Sequence, residues 1–387
     1  MIGLLSATAR ELQGNLAGAT PRLSTAQLSQ VINFSRISLI VGLVFLHYES
    51  YPNSRISPFR GMDTEHFQVA TFVNSFVLFF FFSVVPLLSM VSGWLFFSFT
   101  SDARDQLLSR MGKRFKSLYI PLVLWNLLYL AILWSVFAVN SHSPILEGIN
   151  VNFETAGPVD YFNAVFGVTH HPVGFQFWFV RDLFVTVLDS PLLWIMLTRA
   201  PLLGAVALGL VWLSGFDLWI FFRTDVVFFF YLGGFLRLYK VPLEIAGRVA
   251  LWLLLAYVAL VALRTAAPYF MNPGSDYLEA ATRAMRLVGV LACWGIFQRV
   301  ALTPFGAVVA RYGSFAFFLH AAHFPLLAFV KILLWRLVPL ENQFWMLTHY
   351  ALSVVITVAI GVAFGMALAR LLPGQFAFLN GGRLAAT

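Results

Sequence analysis

Long apolar segments separated by short polar stretches make up most of this chain. The segments are continuous rather than alternating in hydrophobic and polar residues, and about 20 apolar residues suffice to cross a bilayer as a helix. The sequence therefore predicts an all-α fold, a polytopic transmembrane helical bundle of about ten transmembrane helices. The predicted spans lie near residues 33–51, 69–99, 118–139, 176–198, 201–222, 225–240, 248–265, 284–300, 313–335 and 344–370.

The spans divide the chain into three regions. Residues 1–32 are predicted to be a cytoplasmic N-terminal tail, 33–370 the transmembrane domain and 371–387 a cytoplasmic C-terminal tail. The N-terminal tail lacks the apolar core of a cleavable signal peptide. Cations are about twice as frequent in the segments assigned to the inside, and the outer loop 140–176 has no Lys or Arg. The positive-inside rule therefore places both termini in the cytoplasm.

Composition excludes a soluble globule, since 60% of the residues are hydrophobic, 11% are charged and the mean hydropathy is +0.81. The formal charge of +8 does not indicate a nucleic-acid partner, because the cations are spread over membrane-flanking loops. The single cysteine, Cys293, lies in an apolar stretch. It excludes a disulfide framework and is typical of a small core residue. Gly42, Gly93, Gly233 and Gly234 are expected to permit close helix approach.

The first predicted helix carries Arg36 and His47, and ionisable residues at membrane depth are costly unless they are paired, hydrated or functional. The two lie eleven residues apart. At about 100° per residue they fall within about 20° of each other, and about 16 Å apart along the helix axis. A phosphate-binding cation near the inner surface and a base deeper in the membrane suit an elongated substrate such as acyl-coenzyme A. Alternatively, Arg36 anchors the helix at the interface and His47 packs or caps it.

An arginine and a histidine with ten residues between them on the first helix resemble the signature of the acyltransferase-3 family. Further segments resemble later family segments in the expected order, so that the resemblance covers nearly the whole chain. In two respects the chain departs from the family pattern: Ser117 stands where many relatives have a second basic residue, and the N-terminal extension is longer than the family core. The matching segments are Pro86–Phe96, Lys113–Pro121, Phe177–Leu183, Tyr231–Gly234 and Ser314–His320.

The resemblance implies transfer of an acyl group, commonly acetyl, from cytoplasmic acetyl-coenzyme A or another acyl-coenzyme A. The acceptor would be a hydroxyl of a periplasm-facing glycan, exopolysaccharide unit or lipid-linked oligosaccharide, and the location the bacterial inner membrane. A sugar hydroxyl is a poor nucleophile at neutral pH, so we expect His47 to act as general base. Direct transfer and a transient acyl-histidine both stay open. Acyl-coenzyme A is expected as donor substrate, with no permanently bound cofactor.

Two further groups of residues are candidates for substrate contacts. Arg110, Lys113, Arg114 and Lys116 form a basic cluster that suits phosphate groups, although a basic inner loop is also what topology alone requires. Arg114 leads this group. On the outer side, Trp178 could stack on a sugar ring, while Arg181 and Asp182 could orient its hydroxyls. Because helix neighbours point about 100° apart, we expect these two not to pair with each other. Structural ion-pairing with another partner is the alternative to a site role for Arg181.

Other polar residues in apolar segments complete the candidates. Ser92, with Trp178 and Arg181, could donate to the thioester oxyanion. His320 and His323 share one helical face, but no third ligand accompanies them, so no metal site is predicted. A contact with the substrate cavity is expected for His320, and His323 is expected to satisfy backbone groups freed by Pro325.

Two other classes of protein compete with this interpretation. A non-catalytic transporter or flippase of a lipid-linked glycan would also need buried cations and a basic inner face. An acyltransferase that modifies lipids or proteins would share the donor chemistry. The arginine-to-histidine spacing favours an enzyme over the transporter, and the acceptor distinguishes the two kinds of acyltransferase.

Overall fold

The computed structural model of the protein describes residues 22–49, 57–99, 103–147 and 149–384, where all regular structure is helical. The all-α class is thus confirmed. Most of the predicted N-terminal tail lies outside the described residues. In chain order the main helices are α1 (Thr25–His47), α2 (Gln68–Phe81), α3 (Val84–Phe96), α4 (Ala103–Arg114), α5 (Ile120–Val139), α6 (Pro158–Phe166), α7 (Trp178–Leu188), α8 (Ser190–Arg199), α9 (Pro201–Ser214), α10 (Asp225–Leu238), α11 (Gly247–Ala266), α12 (Asp276–Val300), α13 (Pro304–Arg311), α14 (Ala316–Trp335), α15 (Gln343–Leu371) and α16 (Pro373–Leu379).

Within the described residues, seven helical segments are long and apolar enough to span a membrane, so the protein is a multi-pass membrane protein, but the count of about ten is not confirmed. The three other predicted spans correspond to shorter helices. Residues 176–198 break at Asp189 into α7 and α8, while α9 and α10 have 14 residues each. A helix of that length is about 21 Å long, short of the bilayer core of about 30 Å. Hydropathy predicts that a segment is apolar, but it does not predict where a helix within that segment ends.

Helix α1 lies in the interior of the bundle. It begins at Thr25, where Ser24 and Gln27 form a capping box that satisfies two backbone N–H groups. Its buried residues occur on all sides of the helix, from Val31 to His47. A helix that is apolar all round is surrounded by other helices. The side chains of α1 therefore project into the protein rather than into lipid.

Two glycines allow α3 and α10 to cross in close contact. A Cβ atom at Gly93 would clash with the carbonyl of Phe230, and one at Gly233 with the carbonyl of Met90. Small residues at such crossings let helix backbones approach closely in membranes. The predicted packing role of Gly93 and Gly233 is confirmed. The crossing fixes the position of Ser92, the residue before Gly93.

The C-terminal segment packs on the bundle. The short helix α16 buries Phe376, which is 1% exposed. After it, Asn380 Nδ2 donates to the carbonyl of Ser314 at 2.9 Å. This hydrogen bond places the end of the described chain beside the start of α14.

Pro325 interrupts α14. Proline has no N–H for the Ala321 carbonyl, and Phe324 leaves helical geometry with φ −113° and ψ 137°. The Tyr129 hydroxyl donates to that carbonyl instead, as does Gln176 Nε2 at 3.0 Å. These bonds connect α14 to α5 and to the segment before α7. They fix the turn of α14 that carries its two histidines.

Candidate functional site

A cavity of about 100 Å³ lies between α1, α3, α7, α14 and the C-terminal segment. It brings together Arg36, Arg114, Ser92 and His320 from the predicted site, and adds Arg383. Cavities that hold a whole drug-sized ligand measure about 300–1,000 Å³. The space is therefore sufficient for one substituent of a substrate, such as a phosphate or an acyl group.

Three guanidinium groups define the electrostatics of this cavity. Among the described residues, no carboxylate forms an ion pair with Arg36, Arg114 or Arg383. Arg383 Nη1 donates to the carbonyl of Asn380 at 2.9 Å, and its guanidinium lies 5.1 Å from the centre of the Phe317 ring. Burial, and then the charges of Arg36 and Arg114, lower the pKa of Arg383 to about 9. Converging cations without acidic partners form a site for an anion.

Sequence reasoning does not predict Arg383 as a site residue, because Arg383 lies in the segment that is predicted to be a C-terminal tail. Its position depends on a turn at Gly381 and Gly382, whose φ angles are 68° and 79°. Such angles are readily adopted only by glycine. The Gly-Gly pair after a short apolar helix is the signal that could have indicated a returning chain. What a returning chain would contact is a matter of tertiary packing.

His320 points its unpaired ring toward this cavity. The residue is 2% exposed, and neither ring nitrogen has a partner among the described residues. Buried polar groups are normally hydrogen-bonded. An unpaired imidazole on the wall of a cavity is available for a hydrogen bond with a polar group in that cavity.

A chain of three histidines extends from the cavity to the end of α1. The rings of His320 and His323 have centroids 5.8 Å apart. His323 Nε2 lies 2.8 Å from His47 Nδ1, and these two rings stack at 5.0 Å. Arg36 and His320 line one cavity, and ring contacts from His320 through His323 to His47 form a path of side chains between that cavity and the end of α1.

The carbonyl of Leu319 determines which nitrogens carry protons in this chain. It lies 3.2 Å from His323 Nδ1. A carbonyl can only accept, so His323 Nδ1 carries the proton. With both rings neutral, His323 Nε2 then accepts from His47 Nδ1–H. His47 Nε2 keeps its lone pair, and no described residue bonds to it.

His323 thus has two roles in the structure. It contacts backbone, as expected, and it also orients His47. The carbonyl freed by Pro325 is satisfied instead by Tyr129 and Gln176. His323 therefore does not compensate for the hydrogen bond that Pro325 removes. Its side chain contacts His47, the predicted base.

Two predicted donor-binding residues lie away from the cavity. Arg110 donates to the carbonyls of Leu95, Phe96 and Ser98 at the end of α3. A guanidinium at a helix C-terminus satisfies carbonyls that lack helical partners. Lys113 is exposed. Of the predicted basic cluster, only Arg114 lines the cavity with Arg36.

The predicted outer residues Arg181 and Asp182 bind each other and nearby groups of the protein. Contrary to expectation, Arg181 Nη1 and Asp182 Oδ1 form an ion pair at 2.9 Å, because the long arginine side chain spans the angle between helix neighbours. Arg181 also donates to the carbonyls of Gly167 at 3.0 Å and of Val168 at 2.7 Å. Because loop carbonyls accept hydrogen bonds from the Arg181 guanidinium, the ion pair stabilises the structure of this loop.

Asp182 holds the loop before α10. Its carboxylate accepts from the backbone N–H groups of Phe222 at 3.2 Å and of Arg223 at 2.8 Å. Trp178 lies beside the same loop, with the Arg223 guanidinium 5.0 Å from its ring centre. The outer residues predicted to touch substrate therefore position a loop rather than line the cavity.

The chain belongs to the acyltransferase-3 family: the family model, described as an acyltransferase domain, matches residues 30–366. The protein is accordingly a membrane acyltransferase, and the family predicted from the sequence is confirmed. It is similar to the succinoglycan biosynthesis protein ExoH of Rhizobium meliloti (strain 1021), with 26% identity over 363 residues, 93% of this chain and 94% of the relative. No solved structure matches the chain at a significant level.

Proposed function

We propose that this protein transfers an acyl group, with acetyl as the first candidate, from a cytoplasmic acyl-coenzyme A to a hydroxyl of a periplasm-facing glycan. The proposal rests chiefly on one observation, the path from the arginine-lined cavity through His320 and His323 to His47. Anion site and base lie at opposite ends of this path, as an elongated phosphorylated donor requires. The glycan acceptor is supported by similarity to a relative named for succinoglycan biosynthesis.

In the proposed reaction His47 Nε2 removes the proton of the acceptor hydroxyl while its oxygen attacks the thioester carbonyl carbon. The carbon–sulfur bond then breaks, and the proton passes from His47 to the departing sulfur. A positioned base of this kind contributes about 10²–10⁴-fold to a rate. Arg36, Arg114 and Arg383 hold phosphate groups of the donor, and Ser92 or His320 donates to groups in the cavity. The membrane lipids surround this site.

The transfer itself can be tested with purified protein in lipid nanodiscs. We expect radiolabel from acetyl-coenzyme A or succinyl-coenzyme A to appear on an exopolysaccharide oligosaccharide, and not on phospholipid or peptide acceptors. Label on phospholipid or peptide would instead identify a lipid or protein acyltransferase. Absence of all transfer, with movement of a lipid-linked glycan across proteoliposomes, would establish the transporter alternative.

His323 provides a separate prediction about how the base is oriented. His323→Phe removes the acceptor of the His47 Nδ1–H, so His47 can rotate or exchange tautomers. We expect kcat to fall at least about 10-fold, with the donor KM nearly unchanged. The amide oxygen of His323→Gln can accept the same hydrogen bond and should restore part of the rate. The pH dependence of kcat should also shift in His323→Phe. An unchanged profile, or equal losses in both variants, would contradict the positioning role.

A further inference from the structure

A second and larger cavity, about 640 Å³ in volume, lies between α2, α10, α11 and α12. This volume falls within the range of about 300–1,000 Å³ typical of small-molecule sites. Its wall includes Arg264 near the end of α11, Arg286 in α12 and the loop before α10. Among the described residues, none of those that line the proposed donor cavity lines this second one.

The second cavity lies at the end of the bundle where α1 terminates in His47. Gln30, near the start of α1, donates to the carbonyl of Ala301 just after α12, at 2.6 Å. The start of α1 and the end of α12 therefore meet at one end of the bundle. Arg283 and Arg286 belong to the first half of α12, toward the opposite end. In the predicted topology that end faces outward, toward the glycan.

The charges on its wall favour an anion. Of its described lining residues five are arginines and three are carboxylates, an excess of two positive charges. They are Arg60, Arg223, Arg264, Arg283 and Arg286, against Asp217, Asp225 and Glu279. A cleft whose wall carries mainly one sign of charge concentrates ligands of the opposite sign.

The deepest ion pair is incompletely satisfied. Arg286 Nη1 and Asp225 Oδ2 lie 2.9 Å apart, and the two residues are 6% and 2% exposed. Arg286 Nε and Asp225 Oδ1 are buried without a partner among the described residues. Unpaired buried groups of this kind are rare in folded proteins. A ligand with both an anionic group and a hydroxyl would supply an acceptor to the first and a donor to the second.

Aromatic side chains supply a further part of the wall, including Phe59, Phe222 and Trp212. Flat apolar faces next to hydrogen-bonding groups suit sugar rings, which are apolar on their faces and polar at their edges. The loop carrying Phe222 and Arg223 is the one held by Asp182. Asp182, which was predicted to bind substrate with Arg181, thus holds a loop that forms part of the wall of the second cavity.

We infer that this cavity binds the acceptor, and that the acceptor is an acidic saccharide bearing a carboxylate or a phosphate. The presence of an acidic-saccharide site follows from the cavity itself, whereas its assignment to the acceptor rests on the proposed function. Arg60 and Arg223 at the rim contact the anionic group. The Arg286 and Asp225 pair contacts the inner part of the sugar.

Binding can be measured by calorimetry on the full chain in nanodiscs without acyl-coenzyme A. The probes are trigalacturonate, glucose 1-phosphate and neutral maltotriose. We expect at least one acidic probe to bind at least about 10-fold more tightly than maltotriose, since hydrogen bonds to charged groups are roughly twice as strong as those between neutral groups. Preference for trigalacturonate would identify a carboxylate sugar, and preference for glucose 1-phosphate a sugar phosphate. Equal affinity for all three, or no binding, would overturn the inference.

Rim variants connect the affinity to this cavity. Arg60 forms no ion pair among the described residues, so Arg60→Gln leaves the buried Arg286–Asp225 pair unchanged. By contrast, Arg223 Nη2 lies 3.3 Å from Asp225 Oδ2, so Arg223→Gln removes one partner of that carboxylate. Arg60 is exposed, and the Arg223 side chain is 41% exposed, so Arg60→Gln and Arg223→Gln should fold. Each is expected to weaken acidic-probe binding about 10-fold. Arg199→Gln, an exposed arginine outside the cavity, is the matched control and should change nothing. Equal losses in all three variants, or none in the rim variants, would contradict this location.

The two proposals fail separately. Binding of an acidic probe by a protein that transfers no acyl group would leave this site intact and reject the proposed reaction. Transfer to a glycan with no selective binding of acidic probes would leave the reaction intact and reject this site.

Discussion

Replacing His47 by alanine is expected to lower the rate of acyl transfer by about 10²–10⁴-fold, the range that a positioned general base contributes. The acceptor hydroxyl would keep its proton as it attacks, because His47 Nε2 is the free basic nitrogen at the end of the histidine chain. Donor binding should change little, since the anion site lies at the other end of the path. Transfer of radiolabelled acyl groups and calorimetric donor binding measure the two quantities.

His142→Ala is the matched control for this variant. His142 is exposed in the loop after α5, and its side chain makes no hydrogen bond to the described residues, so transfer should be unchanged. Thermal unfolding of both variants in the same nanodiscs separates loss of chemistry from loss of fold. Full transfer by a folded His47→Ala protein would remove His47 from the mechanism.

Helix geometry alone predicts that Arg36 and His47 lie on one face of the first helix. Arg36 and His47 share a face because eleven residues are close to three full turns, and α1 is regular over that length. Their environment required the structure. His323 contacts His47 from a helix 276 residues away in sequence, and the bend at Pro325 helps to set the position of that helix.

Arg181 and Asp182 show where local periodicity misleads. Backbone angles separate adjacent helix residues by about 100°, but the arginine side chain is long enough to reach the neighbouring carboxylate while donating to a loop. Arg383 illustrates the opposite case. Its sequence context indicates a tail, and only packing of α16 against the bundle brings it to the cavity. Sequence thus predicted the helical elements better than the contacts between distant segments.

Replacing Arg36 by glutamine is expected to raise the Kd for acetyl-coenzyme A by about 10-fold to 100-fold, because hydrogen bonds between charged groups contribute about 1.5–3 kcal/mol. Glutamine keeps most of the side-chain volume and removes the charge. Among the described residues Arg36 has no ion pair to lose, so thermal stability should be nearly unchanged. At saturating donor, kcat should change less than the affinity.

A double-mutant cycle with Arg383→Gln determines whether the two guanidiniums hold the same group. Arg36, Arg114 and Arg383 line one cavity of about 100 Å³. Residues that share a ligand show interaction energies of about 0.5–3 kcal/mol, whereas independent sites add. The double variant should therefore bind donor more tightly than the sum of the single losses predicts. Strict additivity would assign the arginines to different parts of the donor. Unchanged affinity in Arg36→Gln, matched by Arg199→Gln, would exclude Arg36 from donor binding, because a cation facing a bound phosphate cannot be neutralised without loss.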